Sequence, residues 1–117
     1  MNPKDKRQRD DGKAPVEYLI WPPMAQVALA LKSGADKYGF RNWRHSGIKA
    51  STYGAAINRH LNLEWLQGVD NDVDSDLHPL AHVIASCLIV MDAEQNGCLT
   101  DDRDLVEEKP GVEARHD

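Results

Sequence analysis

The chain predicts an all-α fold, and three observations carry that reading. Apolar residues recur at helical spacing in three separate stretches, no stretch alternates apolar and polar residues over any length, and a glycine closes each helical run. The expected architecture is a helical-bundle subunit of three main helices behind an extended N-terminal arm. With 117 residues, 41% of them hydrophobic, the chain makes one domain with a modest core.

The elements follow in order. Residues 1–13 are charged and poor in apolar side chains, which predicts a disordered tail. Residues 14–23 differ: Val16, Tyr18, Leu19, Ile20 and Trp21 precede Pro22-Pro23, so an extended arm should pack on something and then open a helix. Met24, Val27, Ala28, Leu31, Ala35 and Tyr38 keep the spacing of a first helix, capped by Gly39. Phe40 to Lys49 reads as a loop rich in Gly, Arg and Trp. Ser51 or Thr52 should cap a second helix that runs to about Gln67 and stops at Gly68. An acidic linker, Asp70 to Asp76, leads to a third helix from near Leu77 to about Asn96, closed by Gly97. One folded domain is therefore expected over residues 14–97. Residues 98–117 form a charged segment, either a short peripheral helix around Leu105 and Val106 or a loose tail.

The third helix carries a stripe of Leu77, Leu80, Ala81, Ile84, Leu88 and Met91, yet Val83, Ile89 and Val90 lie outside it. A helix apolar on nearly all sides must be buried on nearly all sides. Three helices cannot enclose one of their own, so a homo-oligomer, dimer or tetramer, is expected with this helix in the interface.

Composition excludes several classes. A formal net charge of -5 gives no global basic field for nucleic acid, although a local basic cluster can still bind a nucleotide. Cys87 and Cys98 lack metal-type spacing and imply no disulfide framework, which suits a reducing cytoplasm. The charged N-terminus has no hydrophobic signal segment, and Leu77 to Met91 is too short to span a bilayer.

Two constellations carry chemistry. On the second helix Tyr53, Ile57, His60, Leu61 and Glu64 share one arc, so an imidazole and a carboxylate sit one turn apart within the apolar face. A carboxylate there needs a cation, a metal or a hydrogen-bond network. His78 and His82 repeat that spacing on the third helix, and antiparallel packing would bring Glu64 opposite Asp74, Asp76 and the histidines. Oxygen ligands suit Mg²⁺, and mixed oxygen and imidazole ligands suit Mn²⁺. The plainer alternatives are that Asp74 to Asp76 serve as N-cap material and that a histidine is a satisfied core residue. The second constellation is Lys37-Tyr38-Gly39-Phe40-Arg41-Asn42-Trp43-Arg44, three cations, three aromatics and an amide in eight residues. Arg and Lys suit phosphate, Trp or Tyr can stack on a base, and Asn42 can read its edge. Tyr53 and Arg59 extend that character onto the second helix, and Trp21 is either a base-stacking residue or a core plug.

The run Gly34-Ala35, Lys37-Tyr38-Gly39, Asn42-Trp43-Arg44, Tyr53, Arg59-His60-Leu61, Trp65, Gly68, Asp70, Asp72, Asp74-Ser75 and Leu80-Ala81-His82 resembles the MazG-like dATP/dGTP pyrophosphohydrolases of phages and bacteria. These belong to the all-α NTP pyrophosphatase superfamily. The resemblance implies an oligomerising α-helical subunit, divalent metals held by acidic residues, and hydrolysis of a dNTP to dNMP and pyrophosphate. In members of the MazZ type, the product feeds the 2-aminoadenine pathway of phages with modified DNA. Typical superfamily members carry an E-x-x-E pair on the second helix and E-x-x-D on the third, where this chain has His60 with Glu64 and His78 with His82.

The expected enzyme is a nucleoside triphosphate pyrophosphohydrolase acting on dGTP or dATP with Mg²⁺ or Mn²⁺. Glu64, His60 and Asp74 would be catalytic, and Glu64, Asp74, Asp76 and His82 would hold metal. Lys37, Arg41, Asn42, Trp43, Arg44, Tyr53, Arg59 and Trp21 would bind substrate. It should act in the cytoplasm, in that of a bacterial host if a phage encodes it, without nucleic-acid or membrane partners. The rivals are a non-enzymatic phage DNA-binding or interaction protein, which the acidic balance opposes, and a phosphomonoesterase, which would release inorganic phosphate instead.

Overall fold

The computed structural model of the protein describes residues 13–104. The expected tail, residues 1–13, lies outside them except for Lys13, as does the segment around Leu105 and Val106 expected as a short helix or a loose tail. Helix α1 (Pro23–Tyr38) follows a 3₁₀ turn at Val16–Tyr18, and α2 (Trp43–Ser46) is a single turn inside the expected loop. Helix α3 (Ala50–Asn58) passes directly into a π-helical turn (Arg59–Glu64) and a 3₁₀ turn (Trp65–Gln67). Helix α4 (Pro79–Gln95) completes the bundle. No helix is long and apolar enough to cross a membrane among the described residues.

One short sheet was not expected. Strand β1 (Ile48–Lys49) pairs in parallel with β2 (Leu99–Thr100), Ile48 opposite Leu99. Two residues are too few to show an alternating pattern, so nothing in the sequence marks them as strands. The pairing keeps the chain in the fold beyond Gly97.

Local chemistry explains the helix boundaries. Proline occupies the first turn of both α1 and α4, where no amide donor is missed. The His78 ring Nδ1 accepts from the Leu80 amide at 3.0 Å, so that imidazole serves as the N-cap of α4. The start of α3 is capped from far along the chain: the Asp102 carboxylate accepts from the Ser51 amide at 2.8 Å and from the Ser51 hydroxyl. Ser51, one of the two residues expected to cap, is instead the residue being capped, and Lys49 holds the cap position. Gly68 ends the 3₁₀ turn in the left-handed region at φ 87°, the conformation that favours glycine.

Val27 and Ala30 of α1 pack against Ala81 and Ala85 of α4, with Met24, Leu31 and Leu77 closing around them. These small contact residues let the two backbones approach. The larger apolar residues of α4 behave differently. Ile84, Leu88 and Met91 remain on the surface of the subunit. These three belong to the stripe read from sequence as one face, whereas Val83, Ile89 and Val90, read as lying outside it, are partly buried.

Candidate metal centre and substrate cleft

The site grows from the π turn. Such turns, bonded i to i+5, recur at functional positions. His60 Nδ1 lies 2.5 Å from Glu64 Oε1 and 3.4 Å from Asp72 Oδ1. The three residues offer ligand atoms that all lie within 4.8 Å of one another, so they could hold a metal ion. His60 and Asp72 are buried, and Glu64 is half-buried.

Asp72 is fixed by its own loop. Its Oδ2 accepts from the amides of Asp74 (3.1 Å) and Ser75 (2.9 Å) and lies 3.1 Å from the Ser75 hydroxyl. Burial would raise this carboxyl. The bonds from Ser75 and Asp74, with a hydrogen bond shared with Glu64, outweigh it and hold Asp72 down at about 2. Asp72 is therefore an anion at neutral pH. His82 Nε2 sits 2.6 Å from Ser75 Oγ, and its ring stacks on His60 with centroids 4.5 Å apart. Burial and the neighbouring His60 lower the His82 pKa, which favours the neutral imidazole that a metal ligand requires.

These groups line a cavity of about 340 Å³ together with Lys37 and Tyr38 of α1, Arg59, Asp74 and Ser75. It joins carboxylates, imidazoles and two cations in one cleft. Six of the residues expected from sequence meet here: Lys37, Arg59, His60, Glu64, Asp74 and His82.

The other expected residues lie elsewhere. Asp76 is exposed, has φ 63°, and does not line the cavity. The buried aspartate of the acidic run is Asp72, which sequence reasoning missed because Asp74 to Asp76 looked like the material next to α4. Its spacing to Ser75, typical of an aspartate that caps its own turn, was the available signal.

The loop residues also part company with the acidic site. Arg41, Trp43 and Arg44 line a second cavity, about 570 Å³, on the other face of α1. There Asp92 of α4 accepts from Trp43 Nε1 at 2.7 Å, Arg44 Nε at 2.7 Å and Arg44 Nη2 at 2.6 Å. These bonds hold the Asp92 carboxyl well below the usual carboxylate range. The expectation that the loop cations and the carboxylates share one cleft is thus corrected. Lys37 reaches the acidic site because it lies on α1, whereas Arg44 is neutralised by Asp92. Arg41 has φ 51°, and its guanidinium lies over the Phe40 ring at 4.7 Å. Asn42, Tyr53 and Trp21 are not among the residues lining either cavity. Tyr53 is half-buried, its phenol raised by burial and by nearby Tyr38.

Fold and site together define an all-α protein with a candidate metal centre of mixed carboxylate and imidazole donors, facing a cleft that carries cations. The chain belongs to the family described as dATP/dGTP diphosphohydrolase, N-terminal, whose model matches residues 3–103. It is also 33% identical over 103 residues to a dATP/dGTP diphosphohydrolase of Salmonella phage PMBT28, an alignment covering 88% of this chain and 34% of that protein. The chain thus spans about a third of the length of the relative it matches. No solved structure matches it.

Proposed function

We propose that the chain is a metal-dependent pyrophosphohydrolase domain that converts a purine dNTP, dGTP or dATP, to dNMP and pyrophosphate. The observation that carries this reading is the His60–Glu64–Asp72 cluster opening into the same cleft as Lys37 and Arg59. A triphosphate needs both a divalent cation and basic side chains, and few other ligands need the two together. The description of the family and the name of the phage relative support the same substrate class.

The donor set fits Mg²⁺ or Mn²⁺. Glu64 and Asp72 would supply oxygen, His60 or His82 nitrogen, and Asp74 a further carboxylate at the mouth. When bound, such an ion polarises a water and offsets phosphate charge. The protein's own residues do the rest. The short contact from His60 orients the Glu64 carboxylate, and the pair can take up the proton that the attacking water loses. Lys37 and Arg59 hold phosphate oxygens, and the exposed ring of Tyr38 at the cleft offers a face for the purine. Trp43 and Arg44 act as struts through Asp92. The enzyme works in the cytoplasm of a phage-infected host, where its dNMP product enters nucleotide pools such as the 2-aminoadenine pathway. The nucleic-acid alternative relied on the Arg-Trp loop, and its Arg44 is already paired with Asp92.

Pyrophosphate release from each dNTP, with Mg²⁺ or Mn²⁺, tests the reading. Purine dNTPs should turn over, and Glu64→Gln should not. Absence of turnover for every purine dNTP, or inorganic phosphate as the first product, would overturn it.

A further inference from the structure

Ser75 stands between Asp72 and His82 and touches both. Its Oγ accepts from the Leu77 amide at 3.2 Å, lies 3.1 Å from Asp72 Oδ2, and lies 2.6 Å from His82 Nε2. A serine hydroxyl has one proton to give and two lone pairs to fill. Asp72, an anion, can only accept, so the proton at that contact is the serine's. The Leu77 amide fills one lone pair. The other faces His82, whose Nε2 must therefore carry a hydrogen and donate it. In the reverse arrangement, with Ser75 donating to His82, two acceptor oxygens would face each other at a buried carboxylate, which costs free energy.

We propose that His82 is a positioning residue and not a metal ligand: its Nε2–H, through the Ser75 hydroxyl, fixes Asp72 so that Oδ1 is the oxygen presented to the metal. Asp72 Oδ2 is fully engaged by the Asp74 amide, the Ser75 amide and the Ser75 hydroxyl. That leaves Oδ1, 3.4 Å from His60 Nδ1, as the oxygen turned to the cluster. The ligand atoms that lie within 4.8 Å of one another come from His60, Glu64 and Asp72, and none comes from His82. The His82 ring also stacks on His60, with centroids 4.5 Å apart and planes 15° apart, so one side chain bears on two of those three residues. Groups that hold metal ligands from behind in this way set metal affinity. The ligand role of Asp72 rests on the metal-dependent reading, whereas the proton on His82 rests on the hydrogen bonds alone.

Long-range ¹H–¹⁵N correlation spectra of the metal-free full chain read that proton directly, without a variant. His82 should carry it on Nε2. Mn²⁺ titration followed by electron paramagnetic resonance reads the consequence. Ser75→Ala and His82→Ala should each weaken Mn²⁺ binding on the order of 10–100-fold. Ser75→Thr keeps the hydroxyl and His82→Gln keeps an N–H donor near Nε2, so each should recover most of that affinity. Nitrogen modulation of the spin echo from bound Mn²⁺ should be the same in wild type and His82→Gln, because no nitrogen of His82 meets the ion. A His82 protonated on Nδ1 alone, a change in nitrogen modulation in His82→Gln, or unchanged affinity in Ser75→Ala would overturn the proposal. A wild type that binds no Mn²⁺ would overturn the metal reading, and the ligand role of Asp72 with it, while the spectra of the metal-free chain would still report where the proton sits.

Discussion

The two clefts on either side of α1 are built from similar residue types to opposite ends. In the inner one the carboxylates Glu64 and Asp72 share a cavity with Lys37 and Arg59, and no ion pair joins those cations to them among the described residues. In the outer one Asp92 takes both Arg44 donors and the Trp43 indole, so charge is matched inside the protein. The inner cleft leaves charge available to a ligand, and the outer one uses it to tie a loop to a helix. Charged residues near each other in sequence therefore say little about a site until their salt bridges are known.

The largest effect should come from breaking the inner cluster. Asp72→Asn or Glu64→Gln should lower pyrophosphate release on the order of 100-fold or more, since changes even behind a metal ligand cost 10–100-fold. Asp76→Asn should leave it close to wild type. A steady-state assay at saturating metal separates them, and equal losses for Asp76 and Asp72 would erase the distinction drawn here.

The cations sharpen the comparison next. Lys37→Ala should raise KM for a purine dNTP about tenfold, the loss of one charge-assisted bond. Arg44→Ala should lower Tm with little change in KM. If Arg44→Ala raises KM as much as Lys37→Ala, the outer cleft is also a phosphate site.

Acid should act on both clefts in the same direction. Asp72 and Asp92 are both depressed below the usual 3.8, so each favours the folded state above that value. The Asp72 contribution is lost as pH falls from 3.8 toward about 2. The Asp92 contribution fades over acid that begins at the same point. Asp92→Asn should flatten the acid limb of a stability profile followed by tryptophan fluorescence, and an unchanged limb would deny the strut its role. The smallest effect is expected at Gly47, which has φ 75° and would set a Cβ 3.3 Å from the Cys98 carbonyl. Gly47→Ala should cost about 1 kcal/mol in urea unfolding, with activity retained.

Much of this was legible in sequence, for identifiable reasons. His60 and Glu64 stood out because they interrupt an apolar arc, and an ionisable group in such a place has a partner. The same logic applied to Asp92, an acid among the apolar residues of α4, and would have pointed to Trp43 and Arg44. Asp72 was hidden because four alternating aspartates look alike until the chain turns one of them inward. The π turn left no trace, since it changes the phase of a helix without changing its composition. On α4 the sequence stripe included Ile84, Leu88 and Met91, yet these are exposed in the subunit, because a helix apolar on nearly all sides does not say which side packs.

The bond from Asp102 to Ser51 links the far end of the described chain to the first turn of the helix that runs on into His60 and Glu64. Truncation after Gly97 would thus remove more than a trailing strand. It would leave the Ser51 amide without this acceptor and loosen the start of that helix, upstream of His60 and Glu64. The contact thus ties Asp102 to the helix that leads into His60 and Glu64.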